Sequence, residues 1–123
     1  MHLDSNIVIA YLAGEADIVS FLEIWRTKGG NVFISAIAQA EVLSFSGWSL
    51  TERSQVEQFL EDNFTFLPFH NELARLTGRL RSTVSIKLPD AGIAATALYA
   101  RNPLITRNLK DFRKVQGLQI VSL

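Results

Sequence analysis

Short apolar runs alternating with longer helical patterns along the whole chain constrain its fold most strongly. The runs Met1–Asp4, Asn31–Ser35, Phe64–Leu67, Leu104–Thr106 and Gln119–Val121 are too short for helices and read as strands. Between them, apolar residues recur at helical spacing. Ile7, Val8, Tyr11 and Leu12 share one face up to Gly14, and Ile18, Phe21, Leu22 and Trp25 do so over Glu15–Lys28, which Gly29-Gly30 ends. Ser35 can cap a helix starting at Ala36, with Ala38, Val42 and Phe45 on one face and Glu41 beside them. Thr51–Asp62 and Asn71–Ser82 read as further helices, and a helix rich in Ala follows Pro89-Asp90. This order predicts an α/β fold with a small, largely parallel sheet flanked by helices. No repeat, low-complexity stretch or linker interrupts it, and 123 residues suit a single domain, 1–123.

Composition narrows the chemistry. A hydrophobic content of 48% is enough for a real core. The absence of cysteine excludes disulfides, thiolate catalysis and Cys-ligated metals, and two histidines make a His-rich metal site a poor reading. No apolar run is long enough to span a bilayer and no signal peptide precedes the first strand, so the expected location is cytoplasmic, away from membranes. The zero net charge hides an asymmetry. Residues 1–61 carry 3 basic and 8 acidic side chains, whereas residues 62–123 carry 9 basic and 4 acidic ones. Several of the basic residues flank Asp90 and Asp111. Acids rimmed by Arg and Lys suit a polyanion whose phosphates approach through bound cations; individually, most of these residues suit solvated helix faces as well.

The acids carry the functional argument. Asp4 and Asp90 each stand where a helix begins, which suits an N-cap as well as a ligand. Caps in a parallel sheet lie at the C-terminal strand edge, where such folds bind ligands. Glu41 lies inside a helix, where no cap explains it, and is either a rim residue or aimed at something. Asp111 follows the last helix–strand unit and reads as a turn residue or a site acid. Converging carboxylates repel, and a hard divalent cation relieves this; ligation by oxygen alone points to Mg²⁺ or Mn²⁺.

Four blocks in order, L-D-S-N-I-V-I-A-Y-L at Leu3–Leu12, I-S-A-I-A-Q-A-E-V-L at Ile34–Leu43, P-D-A-G-I-A-A-T-A-L at Pro89–Leu98 and L-I-T-R-N-L-K-D-F at Leu104–Phe112, resemble PIN-domain ribonucleases. The likeness is to the small VapC-type toxins of bacterial VapBC toxin–antitoxin pairs. It implies a PIN-like three-layer fold and a metal-dependent endoribonuclease, with RNA as substrate, a cognate antitoxin as partner, and a homodimer. It also implies that Asp4, Glu41 and Asp90 bind Mg²⁺ or Mn²⁺, with the fourth place taken by Asp111 or, through its amide, by Asn108. Ser5, Asn6 and Thr106 match residues that orient the acids, and Arg107 and Lys110 are candidates for contacting the RNA backbone.

Other readings compete. A non-catalytic PIN module would use the acidic pocket only to receive an Arg from a partner. D-S-N-I-V loosely resembles the nucleophile loop of haloacid-dehalogenase phosphatases, but the second acid is Asn6 and the chain is short for that fold. A receiver domain would need an adjacent pair of acids after the first strand. The stretch Phe45–Trp48 and the second helix are expected to receive an antitoxin peptide. His70 reads as a helix-start or surface histidine, and His2 as a terminal one.

Overall fold

The computed structural model describes residues 1–123. Its sheet has the order β3-β2-β1-β4-β5, formed by β1 (His2–Leu3), β2 (Phe33–Ser35), β3 (Thr65–Leu67), β4 (Leu104–Thr106) and β5 (Ile120–Ser122). All four neighbouring pairs are parallel. The crossovers carry α1 (Ser5–Leu12), α2 (Ala16–Thr27), α3 (Ala36–Leu43), α4 (Leu50–Asn63), α5 (Asn71–Thr83), α6 (Leu88–Ala100) and the short α7 (Leu109–Phe112).

The chain travels outward from β1 to β3, then jumps back across the sheet to β4 and β5. Parallel crossovers are right-handed, so the two directions of travel put α1–α4 and α5–α7 on opposite faces. The three layers expected from the sequence follow. The direction reverses between β1 and β4, and the crevice outside their C-terminal ends is the switch point where open α/β sheets bind ligands.

The strands are short because both faces of the sheet are covered, and they read as continuous apolar runs. Leu3, Ile34, Leu104 and Ile105 are wholly buried at the centre of a 22-residue apolar cluster. Onto it pack Ile7 and Val8 of α1, Ile18 and Leu22 of α2, and the unbroken stretch Ala91–Ala97 of α6, whose small side chains let that helix sit close to the sheet. Gly92 sharpens this: a Cβ there would lie 3.1 Å from Ile37 Cγ1, so its hydrogen lets α6 and α3 meet.

Strand and helix positions match the sequence reading to within a residue or two, with three corrections. Phe45 does not share the buried face of Ala38 and Val42; α3 stops at Leu43 and Phe45 lies 55% exposed beyond it. Arg53 causes this stop by donating to the carbonyls of Leu43 (2.8 Å) and Phe45 (2.9 Å), which captures the chain after the helix. Asp90 is not a cap. Lys87 holds that position, Pro89 occupies the first turn where its missing N–H costs nothing, and Asp90 follows within that turn.

The third correction concerns His2, which is a core residue and not a free terminal one. It is wholly buried in β1, stacked on Phe33 with ring centroids 5.7 Å apart, and both ring nitrogens lack partners. Burial, with the nearby N-terminal charge as a smaller cause, pushes its pKa down to about 4. The unfolded chain therefore binds a proton near pH 6.5 that the folded chain refuses until about pH 4. Stability should fall as the pH drops through that window, by up to roughly 3 kcal/mol. Because Asp90 acts in the opposite direction over the same range, the His2 contribution is read as a difference: denaturant unfolding at pH 7, 5.5 and 4.5 should show the stability of His2→Leu rising relative to the parent as the pH falls.

Candidate active site

Asp4 is the first residue beyond β1, and its place follows from the register. Leu3 pairs with Ile105, so the next residues along, Asp4 and Thr106, are neighbours at the switch point. Asp4 N donates to the carbonyl of Ile105 at 3.0 Å, which continues the ladder one step past the strand. Its carboxylate caps α1 by accepting from Ser5 N at 2.8 Å, while the buried Thr106 hydroxyl donates to Oδ2 at 2.7 Å. A side chain only 3% exposed is thus pinned at both oxygens.

The other acids reach this point from three different crossovers. Ser5 Oγ donates to Glu41 Oε1 at 3.1 Å and lies 3.5 Å from Asp4 Oδ1, so one hydroxyl links the acid after β1 to the acid on α3. On the opposite side, Asn108 Nδ2 donates to Asp111 Oδ2 at 3.1 Å and approaches Asp90 Oδ2 at 3.5 Å. Asn108 N in turn donates to Thr106 Oγ1 at 2.9 Å. The resulting path runs Glu41, Ser5, Asp4, Thr106, Asn108 and then to Asp90 and Asp111. Every link is an uncharged donor.

This arrangement leaves like charges facing one another. Burial raises the Asp90 pKa first, and the charges of Asp4, Glu41 and Asp111 raise it further, to about 6; Lys87 opposes them. Asp4 and Glu41 are also raised, each mainly by desolvation, against the hydrogen bonds they accept. Asp111 is the exception: Asn108 first, then Lys114 and Lys110, hold it below the usual carboxylate range. No three acids converge closely enough to form a preassembled ion cage. The donor set is nonetheless all hard oxygen, and Asp90 carries an ionisation cost that a divalent cation would relieve.

Most residues singled out in the sequence come together here, but not all. Ser5, Thr106 and Asn108 contact the acids. Asn6 does not; its Oδ1 accepts only a long 3.5 Å bond from Arg107 N. Arg107 is turned away into a two-armed contact with Glu15, 2.5 Å at its shorter arm, with Asp17 at 4.0 Å. Lys110 is exposed at the rim and makes no ion pair. Lys114, counted in the sequence only among the basic residues flanking the acids, has its Nζ 3.4 Å from Asp111 and donates to Ser85 O at 2.9 Å. Its spacing of three from Asp111 was the available signal.

With fold and geometry in place, the class is plain. A model of the PIN domain matches residues 1–118, and the chain belongs to that family. Its relatives within the family are of the VapC type. It is 28% identical to Ribonuclease VapC1 of Rickettsia felis over 98% of this chain and 94% of the relative. A toxin–antitoxin complex from Klebsiella pneumoniae contains a chain that is 32% identical, with a TM-score of 0.79 and coverage of 98% and 94%. VapBC2 from Rickettsia felis, bound to a DNA fragment from its promoter, shares the fold with a TM-score of 0.85 at 24% identity, covering 99% and 97% of the two chains.

Two outcomes test the network. Thr106→Val keeps the shape but strands Asp4 Oδ2 and Asn108 N, and should cost about 1–3 kcal/mol in denaturant unfolding. Asp90→Asn should instead stabilise the metal-free protein at pH 7.5, by roughly 1 kcal/mol after solvent screening. The sign follows from linkage. A raised carboxyl pKa means the folded state holds its proton more tightly between about 4 and 6, so stability declines as pH rises through that window. The gain from Asn should accordingly vanish at pH 4 in thermal melts made with chelator.

Proposed function

We propose that this chain is a divalent-metal-dependent endoribonuclease and the toxin of a toxin–antitoxin pair. The observation that carries this reading is the set Asp4, Glu41, Asp90 and Asp111 brought to one switch point with only neutral donors between them. The naming of a full-length relative as a ribonuclease supports it. Asp4, Glu41, Asp90 and Asp111 would hold Mg²⁺ or Mn²⁺. Asn108 presents its amide N–H to two carboxylates, so it serves as their orienter and leaves the fourth ligand position to Asp111.

A bound divalent ion supplies Lewis-acid stabilisation of charge at the phosphate and lowers the pKa of water. The chain's own residues do the remaining work. Thr106 and Ser5 N fix both oxygens of Asp4, so that carboxylate needs little reorganisation when substrate arrives. Ser5 holds Glu41 by Oε1 only, which leaves Oε2 to take a proton from an attacking water. Asn108 keeps Asp90 and Asp111 turned toward each other across the mouth of the site.

Partner assignments follow the same reading. An apolar cleft lined by Tyr11, Leu12, Trp48, Val56 and Phe59, beside exposed Phe45 and Leu50, is suited to an antitoxin segment; it is walled by α1 and α4, and not by the second helix expected from the sequence. Association into a homodimer belongs to the same proposal. No helix is long and apolar enough to cross a membrane. The purely docking alternative is not favoured, because it gives no reason for polar donors to hold each acid.

The test is cleavage of structured RNA in Mg²⁺ or Mn²⁺, with and without chelator. The parent chain should cut only with metal, and Asp90→Asn should lose at least about 100-fold in rate. In parallel, Mn²⁺ should raise the melting temperature of the parent and not of Asp90→Asn. Full activity in chelator, or in the variant, would overturn the assignment.

A further inference from the structure

Beside the four acids lies a second, oppositely charged concavity. Its lining is Arg81, Ser85, Ile86, Lys87, Asp111 and Lys114. It brings the continuous stretch from the end of α5 through the loop into α6 against α7 and Lys114 just beyond it, two segments joined only by the tertiary fold. Three cations face one carboxylate, and that carboxylate is shared with the acid site. Asn108 ties Asp111 toward Asp90, so the two concavities are contiguous through a single side chain.

Two of the three cations, Arg81 and Lys87, make no ion pair, and Lys114 pairs only with the cleft's own Asp111 at 3.4 Å. Arg81 Nε donates to Ile86 O at 3.1 Å, which anchors the guanidinium through one of its donors and leaves both Nη groups without a protein partner. Lys114 is braced on Ser85 O at 2.9 Å. Lys87 caps α6 through its backbone only and makes none of the chain's ion pairs. By contrast Arg107, nearer in sequence to β4, is neutralised by Glu15 and Asp17. A planar guanidinium with free Nη donors beside two ammonium groups matches a phosphate.

We propose that the cleft walled by Arg81, Lys87 and Lys114 binds a backbone phosphate of the RNA strand, next to the phosphate presented to the acids. The proposal rests on the ribonuclease reading and deepens it. The cleft sets the direction in which the strand crosses the switch point, with its next phosphate over Asp111 and toward the α5–α6 loop. It gives sequence-independent grip, as phosphate contacts do.

The test uses the full chain carrying Asp90→Asn to prevent cleavage, and fluorescence anisotropy with a labelled single-stranded RNA over a salt series. Arg81→Gln and Lys87→Gln should each weaken binding about 3–10-fold and flatten the dependence of log K on log salt by about 0.7. Lys28→Gln, at the end of α2, should change neither. In the cleaving chain, Arg81→Gln should raise KM with kcat held, a split that loss of folding would not produce. Unchanged affinity and slope in both variants, while the parent binds and cleaves RNA, overturns the cleft alone. A parent that neither binds nor cleaves RNA overturns both readings. Variants that lose an acidic peptide ligand but keep full RNA affinity also overturn it.

Discussion

The buried hydrogen bond from Thr106 to Asp4, 2.7 Å long, is the contact on which the rest of the site depends. It joins the ends of the two central strands where the sheet changes direction, between residues 102 positions apart in the chain. Thr106 also receives the N–H of Asn108, so the hydroxyl that steadies one acid positions the residue that steadies two more. A hydroxyl serves here because it can donate and accept at once. A cation would neutralise the acid it held.

That choice of uncharged donors defines the site's electrostatics. Folding gathers like charges at one edge and leaves them partly uncompensated, and the raised pKa of Asp90 records the cost. The apolar cluster beneath, with Leu3, Ile105, Ala91, Ile93, Ala94 and Ala97 fully enclosed, supplies the burial that offsets it. Stored repulsion of this kind is a property of binding sites more than of stable cores. The positive side chains sit one step further out, where Lys114 and Lys87 temper Asp111 and Asp90 without occupying the space between the acids.

Much of this was legible in residue order because local rules dominate local structure. The apolar run Leu104–Thr106, the cap at Ser35 and the small-residue face of α6 each need only neighbours within a few positions. Asp4, Glu41, Asp90 and Asp111 could be named as a set only through the resemblance carried by the four sequence blocks, because residue order alone does not bring them together. His2 was misread because burial of the first residues depends on Pro103 and Phe33, which pair with them from distant strands. Phe45 was misread because Arg53, on the next helix, ends α3 early by taking its carbonyls.

The sequence by itself determined the element order and the largely parallel α/β class, since periodicity and capping act on neighbouring residues. Only the tertiary structure decided which polar groups reach those acids. Asn108 directs its amide to both Asp90 and Asp111 because the two carboxylates meet it in space. Arg107 was drawn away by Glu15, while Lys114 was brought against Arg81 and Lys87 from a distant segment. Coulomb interactions and hydrogen bonds act through distance, and the distances between remote residues exist only once the sheet has set its register.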